Sequence, residues 1–217
     1  MNSFFTNFLE PFSYCIYIVI LFIALTRIRT LKIKVLFCYY LIATCLIFYA
    51  SLLAFYKTKG DNNWIYNLFF LLTICIFSYY FYQLFYIKQK KYIALFFLTL
   101  NVIFFLIVHI VKQQFFNQVN NYITAFCFLS IVIYALLYFD QVIRNVSEVN
   151  ILHEFDFWLV SGYLLYFLSC FCIILFYKNA TIELRKTMWA LQNLILFLSS
   201  VITLTGNLWI NYQKKHH

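Results

Sequence analysis

The sequence is short of almost everything a water-soluble surface needs. Charged residues make up only 11% of its 217 positions, against roughly a quarter in soluble domains. With 65% hydrophobic residues and a mean hydropathy of +0.84, the chain has too little polar surface to cover itself in water. Three glycines and one proline are also few. Broken helices and flexible lids need such residues where the backbone leaves its helical path, so their scarcity favours plain, continuous spans. No stretch resembles a soluble domain.

Catalytic signatures are missing as well. The chain has no G-x-S-x-G, no H-E-x-x-H, no Walker loop and no Rossmann glycine pattern. The seven cysteines, Cys15, Cys38, Cys45, Cys75, Cys127, Cys170 and Cys172, lie inside apolar runs without a C-x-x-C pair. An odd number in that setting reads as packing residues, since zinc sites and disulfide frameworks need paired spacing. The net charge of +9 comes from short basic clusters between apolar runs. No basic domain is left to grip nucleic acid.

What the chain does have is apolar length. A spanning helix takes about 20 mainly apolar residues. Seven such segments fall at about 8–26, 35–56, 64–87, 92–111, 122–139, 156–177 and 189–210. The expectation is one all-α domain over residues 1–217, a bundle of seven transmembrane helices. The first segment has no basic stretch before it and has Arg27 and Arg29 after it, so it reads as a retained helix and not as a cleaved signal. Trp64, Trp158, Trp189 and Trp209 fall at the ends of spans, the depth where an indole keeps its ring apolar and its N–H wet.

Lysine and arginine set the orientation. With the N-terminus outside, the inner segments hold ten (Arg27, Arg29, Lys32, Lys34, Lys88, Lys90, Lys91, Arg144, Lys214, Lys215). The outer segments hold six (Lys57, Lys59, Lys112, Lys178, Arg185, Lys186). The expected topology is N-terminus outside and C-terminus inside.

Mid-span ionisable residues mark pumps and ion-coupled transporters, and none occurs here. The seventh segment, WALQNLILFLSSVITLTGNLWI, has no lysine, which excludes a retinal Schiff base. Neutral amides remain. Asn101 and Asn193 sit within spans, where an amide seeks a partner on another helix; structural bonding is the plainer reading and ligand contact the sharper one. Asn67 and His109 complete the candidate ligand set. Gly162 allows close helix approach in the sixth span, and Ser169, seven residues on, shares nearly the same face. Trp158 joins them as a packing residue.

The stretch HEFDFWLVSGYLLYFLSC, 153–170, opens the sixth span with a polar cluster. Asp156 lies in its first turn, where a carboxylate meets the positive end of the helix dipole and can cap it. His153, Glu154 and Asp156, with Asp140 and Glu148, make this the one acidic inner loop, beside two basic ones. One histidine among scattered acids without i,i+4 histidine spacing argues against a metal site. A partner-docking surface reached by water is expected instead; its charges need no burial partner, and they can pair with the two basic inner loops or with a basic partner segment at modest, salt-sensitive strength.

Two stretches together carry a family resemblance: NNWIYNLFFLLTICIFSYYFYQLF, 62–85, and FDFWLVSGYLLYFLSCFCIILFYKN, 155–179. They resemble an uncharacterised family of seven-helix membrane proteins of Bacteroidetes-type bacteria. Its members occur alone or as the membrane region preceding a cytoplasmic histidine kinase. In the sixth span, Phe157, Trp158, Gly162, Leu164, Tyr166 and Phe167 match that family's F-W-x-x-x-G-x-L-x-Y-F. In the third, Trp64 and Tyr66 match, but Asn67 stands in place of a histidine and Thr73 in place of a glutamate. The resemblance implies a sensory or signalling module without catalysis or cofactor, seated in the lipid bilayer of a bacterial inner membrane and working through a separate cytoplasmic protein. The departures put proton-linked or metal chemistry at positions 67 and 73 in doubt. A passive pore or membrane-disrupting effector, which can be oligomeric, is the alternative.

Overall fold

The computed structural model describes residues 3–27, 30–55, 63–108, 120–144, 151–177 and 179–216. Among the described residues it is all helix and turn, with no strand. Seven α-helices run in order: α1 Ser3–Arg27, α2 Leu31–Phe55, α3 Asn63–Leu84, α4 Lys88–Leu106, α5 Asn121–Arg144, α6 Phe155–Tyr177 and α7 Ile182–His216. A single 3-10 turn, Ile151–His153, precedes α6. Six of the helices, α2 to α7, contain stretches long and apolar enough to cross a membrane. In α1 the described apolar run is shorter, Tyr14–Leu25.

Each helix packs on the next in sequence, and α7 packs back on α1, so the seven close into a ring. Across the ring α3 also packs on α5. Aromatic side chains fill the interior. Phe77 of α3 meets Tyr163 and Phe167 of α6 edge-on, at centroid distances of 4.8 and 4.9 Å. Tyr17 of α1 stacks on Tyr40 of α2 at 4.6 Å. With almost no glycine to bring backbones together, large rings reach across the gaps, and edge-to-face pairs add attraction beyond burial.

Hydroxyls tie the rings to neighbouring helices. Tyr134 of α5 donates to the Ala94 carbonyl of α4 at 3.0 Å and lies 3.1 Å from Ser78 Oγ of α3. Tyr39 of α2 bonds Thr73 of α3 at 2.8 Å. Tyr17 of α1 bonds Ser199 of α7, whose hydroxyl donates to the Gly162 carbonyl of α6 at 2.7 Å. In hydrocarbon these groups have no water to turn to, so each bond is worth about 0.6–2 kcal/mol.

The helices are longer at one end than the hydropathy pattern suggests. The basic run 88–91 reads as a loop but forms the first turn of α4, and Lys32 and Lys34 lie in the first turn of α2. Lysine is a good helix former, so charge ends the apolar segment without ending the helix. At the other end α7 starts at Ile182, seven residues before its apolar span. Thr181 caps it, its hydroxyl accepting from the Leu184 N–H at 3.3 Å, with Glu183 in the first turn.

Candidate functional site

One end of the bundle gathers the ends of α1, α3, α5 and α7 with the starts of α2, α4 and α6. Asp156, in the first turn of α6, is the centre of the polar contacts here. The Lys32 ammonium, from the first turn of α2, forms an ion pair with Asp156 Oδ2. The Tyr80 hydroxyl of α3 donates to Oδ1 at 2.9 Å. The Lys32 and Asp156 side chains are only 19% and 17% exposed. One carboxylate therefore joins three helices, in a setting drier than an open surface, where an ion pair counts for more.

The pairing with the basic 27–34 segment agrees with the expectation for the acidic loop, but the expectation that its charges need no burial partner is corrected at Asp156, which is mostly buried and also takes the Tyr80 hydroxyl. Asp156 is committed to internal partners and faces into the bundle end. The reason lies in the helix starts: extending α2 through Lys32 brings its ammonium to the mouth of α6. Glu154, by contrast, is exposed. His153 lies in the 3-10 turn, and Glu148 and His109 fall outside the described residues.

Trp158 fixes the approach to this site. Its indole N–H donates to the Leu152 carbonyl at 2.9 Å, tying the 3-10 turn to α6. Its ring occupies the space beside Gly206 of α7, where any Cβ would collide with it. Four residues further along α6, Gly162 meets α7 again. A Cβ there would stand 2.8 Å from Thr203 Oγ1 and 2.9 Å from the Ser199 carbonyl oxygen. Ser169 does not join this seam by hydrogen bonding, since its hydroxyl donates within its own helix to Leu165.

Asp140 belongs to a second network. It accepts from Lys90 of α4 at 2.8 Å and from Arg144 on its own helix at 2.7 Å. Lys90 is buried and also donates to the Leu137 carbonyl at 2.7 Å.

The candidate ligand amides are spread over three helices. Asn101 of α4 is buried and donates to Ser130 Oγ of α5 at 2.9 Å and to the Phe97 carbonyl at 2.8 Å. Asn67 of α3 and Asn193 of α7 are also buried. A small depression at the other end of the bundle, between the start of α5 and the end of α6, is lined by Asn121, Tyr122, Ile174, Leu175 and Asn179. None of the three amides borders it.

Lys32 and Tyr80 were not legible as site residues. They stand 124 and 76 positions from Asp156, and only the ring closure brings them together. Gly206 escaped too: Trp158 reads from sequence as an interface and packing residue, but nothing near it names the position on α7 that it packs against. The seven cysteines are free thiols, with Cys127 and Cys170 buried. No group of three or more metal-ligating side chains occurs among the described residues.

No protein-family model, curated protein or solved structure matches this chain. What the fold defines is a multi-pass helical membrane protein.

Proposed function

We propose that the chain is a non-catalytic sensory or signalling module of the bacterial inner membrane. It spans seven times, with the N-terminus outside, and acts through a separate cytoplasmic protein. The observation that carries the proposal is the three-helix junction at Asp156. A signalling bundle needs an element with two discrete arrangements that a ligand or partner can bias. In this reading the single carboxylate that holds α2 and α3 at the mouth of α6 serves as that element, and its release would loosen the start of α6. Exposed Glu154 lies beside the junction, where a docked partner would feel the change. The sequence resemblance at residues 155–179, partial at 62–85, points the same way.

A passive pore through one bundle calls for a polar axis, whereas Phe77, Tyr80, Tyr163 and Phe167 fill the described interior. The test is complementation. In cells lacking the gene, transcript changes should be restored by the wild-type chain and not by Asp156→Asn present at equal membrane level. Full rescue by that variant sinks the junction's role. Conductance of the purified chain in planar bilayers would favour the pore.

A further inference from the structure

Among the described residues, the corner where α3 turns into α4 holds more positive charge than acidic partners take up. Four cations, Lys88, Lys90, Lys91 and Arg144, share it with one described carboxylate, Asp140. Lys90 and Arg144 take that carboxylate between them. Lys88 is exposed, Lys91 is half-buried, and neither has an acidic partner among the described residues. Lys91 instead stands over the Tyr82 ring, 5.1 Å from its centroid.

The corner is also rigid. Gln141 of α5, fully buried, braces it from within. Its Oε1 accepts from the Tyr86 N–H at 3.2 Å, and its Nε2 donates to the Leu84 carbonyl at 3.2 Å. The Tyr86 hydroxyl returns a bond to the Gln141 carbonyl at 2.9 Å. Lys88 and Lys91, without an acidic partner among the described residues, are thus carried on a hydrogen-bonded helix corner.

Depth identifies the partner. Tyr86 and Tyr92 flank the corner, 56% and 68% exposed, and exposed tyrosine in a membrane protein marks headgroup level. Below Lys88 and Lys91, the outward face of α4 continues with Tyr92, Leu95, Phe96 and Ile103, all exposed. Cations at headgroup depth above an apolar stripe match a molecule with an anionic head and hydrocarbon tails. We propose that this corner binds an anionic phospholipid, with Lys88 and Lys91 at its phosphate and its chains along α4.

The test uses the full chain in phosphatidylcholine nanodiscs or mixed micelles, titrated with phosphatidylglycerol. Lys88→Gln with Lys91→Gln should weaken phosphatidylglycerol binding about 30-fold, from the usual contribution of a lysine at a charged bilayer surface. Lys88→Gln alone should weaken it about 5-fold, which keeps the test open should the double variant fail to fold. Lys186→Gln, an exposed lysine near the start of α7 at the other end, should leave binding unchanged. Equal binding by wild type and the double variant overturns the proposal. So does equal binding of phosphatidylcholine and phosphatidylglycerol, an equal loss with Lys186→Gln, or competition by inorganic phosphate at millimolar concentration.

Discussion

The Trp158 ring of α6 fills the space that any side chain at position 206 of α7 would need. Gly162 likewise has Thr203 Oγ1 and the Ser199 carbonyl oxygen within 3 Å of where a Cβ would stand, so both glycines of the α6–α7 seam leave no room for a side chain. Small residues allow such approach in membrane bundles, where close packing and not water drives association.

Gly162→Leu should therefore destabilise the bundle by about 1–3 kcal/mol through overpacking. Gly206→Leu should do so as well, and it should also release the Leu152 carbonyl by displacing Trp158. Thermal unfolding in detergent checks the first. Protease sensitivity of the turn before α6 checks the second. An unchanged melting temperature for Gly162→Leu would mean that α6 and α7 can part at little cost.

The Lys32–Asp156 pair should show measurable coupling. At less than a fifth exposed it is neither a free surface pair nor a dry interior one. A double-mutant cycle with Lys32→Gln and Asp156→Asn should give a coupling of about 1–2 kcal/mol. Tyr80→Phe should cost about 1.5–3 kcal/mol, from one lost hydrogen bond to a charged acceptor. Additive effects of the two charge changes would show that the ion pair contributes nothing.

How much of this arrangement was legible beforehand divides by distance along the chain. Apolar length and the tryptophans at its edges place the helices, because both are local. Asp156 at the start of α6 and close packing at Gly162 are also local, since helix caps and small residues act within a few positions. The partners of Asp156 are not local. Nothing near Tyr80 distinguishes it from other tyrosines in its helix, such as Tyr79 and Tyr82, until α3 is placed beside α6. The first turns of α2 and α4 were missed for a different reason: charge marks where the bilayer ends, and a helix can continue past that point.

Asn101 separates structural bonding from ligand contact. Its bond to Ser130 joins α4 to α5, a weakly packed pair in the ring. Asn101→Ala should lower stability by about 0.6–2 kcal/mol, and Ser130→Ala should remove most of the same increment. Denaturation of both variants and of the double variant in detergent decides it. If the two losses add in full, the amide serves something other than Ser130.

The status of α1 is the last question the fold brings within reach. Its described apolar run, Tyr14–Leu25, is short for a span by itself. Yet it lies against helices that are long enough. Phe12 stacks on Phe197 of α7 at 6.3 Å, Tyr17 bonds Ser199, and Tyr14 and Tyr17 both meet Tyr40 of α2. Buried contact along mid-α7 and α2 leaves α1 at the same depth as they are. At 25 residues and about 1.5 Å per residue it is about 37 Å long, enough for a hydrocarbon core of about 30 Å. Seven crossings put the two termini on opposite sides of the membrane, and six put them on the same side. A reporter at the N-terminus and another at the C-terminus should therefore give opposite sidedness, with the C-terminus on the side of the basic clusters. Matching sidedness would leave α1 lying along the bundle without crossing, and the lysine and arginine count would then have to be made again without it.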